Sequence, residues 1–272
     1  MRLEEFIGAG AREGLVPWLV ESAAAAEFAC TPREIEAEIL RQSLRPERYA
    51  RNFRSIDLEG QRRLHEARVA VVGCGGLGGY IVEELARVGV GTLVVVDPDR
   101  FEPSNLNRQI LASVATLGRS KAEVASERVA SINPAVLVLP RVARLGADNA
   151  DELLSGCRAA ADGLDSIPAR RALGEACARL GIPLVHGAIA GWYVQATTVP
   201  PGGRGLSTLY GGVESDRGIE VELGNPAFTP AFAASIEVAE IVKILLGKEP
   251  SLADSLLHFD LSRMEAARIP LT

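Results

Sequence analysis

Four apolar residues, Val69-Ala70-Val71-Val72, run straight into Gly73-Cys74-Gly75-Gly76-Leu77-Gly78. No other feature of the chain constrains its fold as tightly. A continuous apolar run, rather than an alternating one, predicts a strand buried on both faces of a helix-covered parallel sheet. The G-x-G-x-x-G that follows predicts a tight turn opening a helix, where glycines let a phosphate or ribose approach the backbone. The helix N-terminus adds a favourable place for negative charge. Asp97 closes the next apolar run, Thr92 to Val96, about 20 residues on, where a carboxylate can accept hydrogen bonds from ribose hydroxyls. Alone, these features predict a nucleotide site and nothing narrower.

Strand and helix patterns then alternate. Helices are expected over Tyr80 to Val88, Lys121 to Ser131, Asn149 to Leu154 and Ile167 to Leu180. Strands are expected at Val136 to Leu139, Ala159 to Asp162 and Leu184 to His186. Such alternation predicts an α/β fold, Rossmann-like and doubly wound around a mainly parallel sheet. Tyr193 to Val199 and Leu256 to Leu261 read as strands of an antiparallel C-terminal part, the latter as the final strand, with an apolar helix from Phe232 to Leu246 between them. Gly202 to Asn225 is so crowded with glycine that a mobile loop is expected there. Residues 1–60 read as an N-terminal helical extension and 61–272 as the nucleotide-binding domain. Within the extension, Thr31-Pro32-Arg33-Glu34 is a capping box with proline at the first helical position, so a helix should run from Pro32 to about Ser43. Another short helix is expected over Gln61 to Glu66.

Composition narrows the class. The 272 residues suffice for a full core without a disulfide or metal staple. A net charge of −6 argues against a general polyanion binder, so nucleic acid is not the expected partner. Cys30, Cys74, Cys157 and Cys177 lie far apart with no C-x-x-C pair, which predicts neither a zinc site nor a disulfide framework and fits a reducing cytoplasm. The most apolar early stretch, Leu15 to Cys30, is broken by Pro17, Glu21 and Glu27, so no membrane span is expected.

Two further clusters carry chemistry. Ser104-Asn105-Leu106-Asn107-Arg108-Gln109 puts an arginine where a plain dinucleotide-binding domain needs none. A triphosphate does need one, because charge builds on its oxygens as a nucleophile attacks phosphorus. Arg119 and Lys121 open the following helix, where cations oppose the helix dipole and a bound anion would compensate. Read singly, either could be an ordinary surface cation. Asp162-Gly163-Leu164-Asp165-Ser166 follows a strand, at the sheet edge that faces the ligand crevice. Asp165 could hold Mg²⁺ against phosphates, or cap the helix starting near Ile167, or both. Asp162 and His186 read as structural.

Taken in order, Val-Gly-Cys-Gly-Gly-Leu-Gly, Val-Asp-Pro-Asp, Ser-Asn-Leu-Asn-Arg-Gln, Gly-Arg-Ser-Lys and Asp-Gly-Leu-Asp resemble the signature of the MoeB/ThiF/HesA family, bacterial relatives of ubiquitin-activating enzymes. The resemblance covers Arg68 to about Leu246, with Tyr49-Ala-Arg-Asn upstream resembling the family's arginine-bearing entry segment. It implies an adenylyltransferase acting on the C-terminal glycine carboxylate of a small ubiquitin-like sulfur carrier ending in Gly-Gly, as in thiamine or molybdopterin biosynthesis, with ATP and Mg²⁺. It further implies that Gly76 and Asp97 contact adenosine, that Asn105, Arg108 and Lys121 hold the triphosphate, and that Asp165 serves Mg²⁺. Gly73, Gly75, Gly78, Asp99, Ser104, Asn107, Gln109 and Ser166 complete the nucleotide-binding set. Arg51 resembles an arginine that reaches across a homodimer interface to the partner's nucleotide.

The chain departs from the family in three places. It lacks the two C-x-x-C pairs that bind zinc in many relatives, has no cysteine after Leu180, and carries Ser166 where asparagine is usual. Two other readings stay open at this point. One is ATP-dependent activation of a carboxylate on a peptide or modified tRNA base. The other, an NAD-dependent oxidoreductase, rests on the glycine turn and Asp97 alone.

Overall fold

The computed structural model describes residues 1–203, 205–213, 215–216 and 218–271. The chain opens with α1 (Leu3–Gly10), α2 (Trp18–Glu27) and α3 (Pro32–Arg41), with two-residue strands β1 (Leu15–Val16) and β2 (Arg45–Pro46) paired in parallel. The capping box forms as expected: Thr31 Oγ1 accepts from the Glu34 N–H at 3.2 Å, and the Glu34 carboxylate accepts from the Thr31 N–H at 2.7 Å. Ile35 and Ile39 of α3 join Ile7, Val16 and Ala24 in a small core of their own. Helices α1 and α2 were not legible. In α2 the run Ala23 to Ala26 leaves little contrast between faces, so the 3.6-residue period is faint. Helix α4 (Leu58–Glu66) starts three residues earlier than the sequence suggests, at an Asp57 cap whose Oδ1 accepts from the Gly60 N–H at 2.7 Å.

The main body follows as β3 (Arg68–Val72), α5 (Gly76–Val88), β4 (Thr92–Val96), α6 (Lys121–Ile132), β5 (Leu137–Arg141), α7 (Ala150–Leu154), β6 (Ala159–Asp162), α8 (Ile167–Leu180), β7 (Leu184–Ala190), β8 (Tyr193–Val199), α9 (Gly205–Tyr210), α10 (Glu220–Leu223), α11 (Phe228–Leu245), β9 (Ser255–Asp260) and β10 (Glu265–Pro270). The sheet order is β10-β9-β8-β7-β6-β3-β4-β5. Strands β5, β4, β3, β6 and β7 are parallel, and β8, β9 and β10 continue antiparallel. This is the expected doubly wound sheet with an antiparallel C-terminal part. Alternation along β3 divides the core. Val69 and Val71 pack with α5, α6 and α11, while Ala70 and Val72 pack with α7 and α8. The strand order reverses between β3 and β6, and a crevice opens there beyond their carboxyl ends.

Two expectations need correction. Residues 202–225 are not structureless: α9 and α10 form within them, and Leu206 is buried against the α7–α8 side of the core. Residues 204, 214 and 217 of that stretch lie outside the described ones. Glycine density masked the pattern, because the two helices are short and held by tertiary contacts rather than propensity. Strand β10 was also missed, since its six residues are all exposed and show no apolar alternation. Among the described residues no helix is long and apolar enough to cross a membrane.

One buried group reports on the folded state. Glu237 of α11 is wholly buried, and burial pushes its carboxyl well above the usual carboxylate range, with the nearby Asp162 charge adding to the rise. A raised native value means that Glu237 contributes stability below the unfolded value near 4.5 and loses it as pH rises through the native one. The Glu237→Gln variant, neutral throughout, should therefore gain on the wild type as pH rises from about 5 to about 9. Urea unfolding midpoints compared across that range test this. A gap that stays constant would mean that Glu237 is charged in the native protein.

Candidate active site

The turn after β3 is built by backbone touching backbone. Gly73 adopts φ +91°, and its N–H donates to the Val96 carbonyl at 2.7 Å. A Cβ added to Gly78 would lie 1.7 Å from the Gly73 carbonyl oxygen, and one added to Gly73 would lie 2.5 Å from that of Gly163. The turns after β3 and β6 thus meet at the switch point in a contact that no side chain fits. Gly75 and Gly76 differ: they line the cleft, and nothing lies within 3.0 Å of where their Cβ atoms would be. The first and last glycines of the motif serve packing, and the middle pair serves access.

Asp97 locks this turn to β4. It is 4% exposed; its Oδ2 accepts from the Cys74 N–H at 2.6 Å and its Oδ1 from the Asp99 N–H at 2.8 Å. Burial raises its carboxyl above the ordinary range, while the two backbone donors and Lys121 pull it back. Asp99, further out, pairs with Lys121 Nζ at 3.3 Å. Lys121 is itself buried at the first position of α6, so Asp99 supplies the compensating charge that its place at a helix N-terminus calls for. Arg119 instead pairs with Glu127 and does not line the cleft.

Gly73, Gly75, Gly76, Asp97, Asp99, Arg108, Gln109, Lys121, Asp165 and Ser166 all line one cleft. Four other candidate residues stand behind it. Gly78 is a packing contact, and Asn105 Oδ1 accepts from the Glu102 N–H at 3.0 Å to shape the turn that carries Arg108. The Ser104 carbonyl and Asn107 Oδ1 accept from Arg108 Nη1 at 3.1 and 2.8 Å, which orients the guanidinium. Ser166 caps α8, its Oγ accepting from the Ala169 N–H at 3.4 Å, so the cap falls to serine rather than to Asp165. Asp165 is left exposed at the cleft wall.

Arg51 is elsewhere. It is exposed and follows Tyr49, whose ring packs on Gly89 at the C-terminal end of α5. The cleft opens at the other end of that helix, about 20 Å away at 1.5 Å per residue. Arg51 does not line its own chain's cleft.

Two cleft cations were not singled out from the sequence, Arg144 and Arg170. Arg170 could have been found by the argument applied to Lys121, since it is a cation near the start of a helix. Its Nη2 donates to the Leu164 carbonyl at 2.8 Å and its Nη1 to Tyr210 Oη at 2.9 Å. Tyr210 Oη and His186 Nε2 are 3.1 Å apart, and His186 Nδ1 lies 2.7 Å from Asp162 Oδ2. Burial lowers the His186 value, so the ring is neutral at pH 7. Its Nδ1–H then donates to Asp162 and its Nε2 accepts from Tyr210, which leaves the tyrosine oxygen to accept from Arg170. Asp162 and His186 are both buried and bonded to one another, and through them α9 is tied to the cleft wall.

The chain matches the ThiF family over residues 49–272. It belongs to the ThiF family. It is 38% identical over 231 residues to the SAMP-activating enzyme E1 of Haloferax volcanii, covering 82% of this chain and 84% of that one. It is 37% identical to the sulfur carrier protein adenylyltransferase of Thermus thermophilus, covering 74% and 78%. The crystal structure of E. coli MccB shares the fold, with a TM-score of 0.70 at 20% identity over 92% of this chain and 80% of that one.

The division among the glycines can be tested. Gly78→Ala should cost about 3 kcal/mol or more, because the obstacle is backbone that cannot move aside. Gly76→Ala, at the first position of α5, should stay within about 1 kcal/mol of the wild type by urea unfolding, yet weaken nucleotide binding about tenfold or more by calorimetry. Equal stability losses for both would refute the assignment.

Proposed function

We propose that this chain uses ATP to adenylate the C-terminal glycine carboxylate of a small ubiquitin-like sulfur carrier, releasing pyrophosphate. What carries the reading is the convergence of Arg108, Lys121 and Asp165 with the glycine turn on one cleft, in a chain 38% identical to a SAMP-activating enzyme E1. A hydride-transfer site would leave that set of charged groups without a task.

The chemistry asks little of the protein. The carrier's terminal carboxylate is already ionised at neutral pH, so no general base is required. It attacks the α-phosphorus, an acyl-adenylate forms, and the bond to the leaving pyrophosphate breaks. Arg108 and Lys121 stabilise the charge that gathers on the phosphate oxygens, and the α5 N-terminus receives phosphate through its free N–H groups. On this reading Asp97 and Asp99, which line the cleft beside the glycine turn, accept from the ribose hydroxyls. The donor set also suits Mg²⁺, which prefers one or two carboxylates with phosphate oxygens and water over an all-protein cage. Asp165 supplies such a carboxylate, and among the described residues no group of three or more His, Cys, Asp or Glu side chains is gathered to hold a metal. Bound there, the ion would neutralise phosphate charge.

The same reading assigns 61–272 to adenylation and 1–60 to an extension, and makes the protein a homodimer in which Arg51 serves the partner's nucleotide. That Arg51 does not line its own chain's cleft supports this. A two-fold interface would give each chain the arginine that it donates to the other.

ATP–pyrophosphate exchange should appear only with a carrier bearing a free Gly-Gly terminus. Arg108→Ala and Asp165→Ala should each lower it about 10²-fold or more. Replacing all four cysteines should leave exchange nearly intact. Tight NAD binding without ATP binding, read by calorimetry, would refute the proposal.

A further inference from the structure

The strongest structural oddity lies outside the cleft. Glu36, on α3, is 1% exposed yet takes three polar contacts on one carboxylate. Its Oε2 accepts from Arg48 Nη1 at 2.5 Å and from Tyr49 Oη at 3.1 Å. Its Oε1 lies 2.8 Å from His65 Nδ1 on α4. Arg48 also pairs with the buried Glu21 of α2. The Tyr49 oxygen accepts in turn from Asn133 Nδ2 at 2.7 Å, at the end of α6. Helices from the extension and from the nucleotide-binding body are thus tied to Arg48 and Tyr49.

Burying carboxylates costs free energy that a purely apolar contact avoids, and replacing buried ion pairs by apolar groups is often neutral or stabilising. The extension already has an apolar core of its own in Ile7, Val16, Ile35 and Ile39. What the charged cluster adds is register: a carboxylate with three fixed partners holds the chain in one place. The held segment leads directly into Arg51. The turn is closed by Ala50 N–H to the Glu47 carbonyl at 2.9 Å and Asn52 N–H to the Tyr49 carbonyl at 2.8 Å. Arg51 itself is exposed, so its position is inherited from the backbone anchored at Arg48 and Tyr49.

We infer that Glu36 is a positioning residue for Arg51, and that the N-terminal helices thereby form part of the partner's active site. The inference rests on the shared-site reading proposed above. A misplacement of about 1 Å in a group at the reacting phosphates can cost about 10²-fold in rate, so the anchoring of the turn matters to the chemistry.

Mixed dimers separate this role from a merely structural one. In a dimer of an Asp165→Ala chain with an Arg51→Ala chain, the working cleft belongs to the second chain and its arginine comes from the first. Glu36→Gln placed on the Asp165→Ala chain, the arginine donor, should lower the recovered ATP–pyrophosphate exchange about tenfold or more. Placed on the Arg51→Ala chain, which donates nothing, the same substitution should leave exchange within about twofold. Tyr49→Phe keeps the ring packed and removes only its hydrogen bonds; it should give the same asymmetry at smaller amplitude. Equal losses in both arms for Tyr49→Phe as well as Glu36→Gln would overturn this inference alone. A parental mixture that stays silent after demonstrated subunit exchange would overturn the shared site, and this inference with it.

Discussion

The contact between the Gly73 and Gly163 backbones is the constraint on which the rest of the structure depends. It joins the turns after β3 and β6 where the sheet order reverses, and it needs Gly78 packed on Gly73 from the helix side. Three glycines in close contact sacrifice conformational entropy, roughly 0.5–1 kcal/mol at a helical position relative to alanine. The return is geometric. The first turn of α5 is brought against the sheet edge, with Gly75 and Gly76 bare toward the cleft. Asp97 then ties the same turn to β4 by accepting from the Cys74 and Asp99 N–H groups. A lock made of backbone and one buried carboxylate leaves little freedom for the floor of the cleft.

Charge in the cleft is held in two ways. Asp162 and His186 are buried and continue through Tyr210 to Arg170, whose guanidinium donates to Tyr210 and the Leu164 carbonyl and lies 3.6 Å from Asp162 Oδ2, so Arg170 keeps one place. Lys121 and Asp99 pair at 3.3 Å with the aspartate largely exposed. Partly exposed pairs of this kind contribute little to stability. The lysine can therefore turn to an incoming phosphate at small cost, while the first network stays fixed as the frame around it.

Legibility followed the range of the interaction. The β3 run, the glycine turn, the Thr31 cap and the strand–helix alternation are all set by residues within a few positions of one another, and each was readable. So was the gathering of Arg108, Lys121 and Asp165, because the rule for doubly wound sheets places strand ends at one edge. Helix α2 was hidden by its alanines, β10 by its uniform exposure, and α9 by surrounding glycines. Arg170 carried the same signal as Lys121, a cation opposing a helix N-terminus, and was passed over because no motif surrounded it.

What this sequence determined by itself is the kind of element at each place and the sheet edge at which ligand chemistry collects, because periodicity, caps and glycine turns act locally. The tertiary structure alone decided which distant side chains meet. Tyr210 reaches Arg170 and His186 only because α9 folds back over α8. Glu36 meets Arg48, Tyr49 and His65 only because α3 docks on α4. Arg51 stands at the far end of α5 from the cleft because Tyr49 is wedged at the C-terminal end of that helix. Contacts of this kind depend on the relative placement of whole elements, which burial of three apolar cores sets jointly and which no single stretch of sequence encodes.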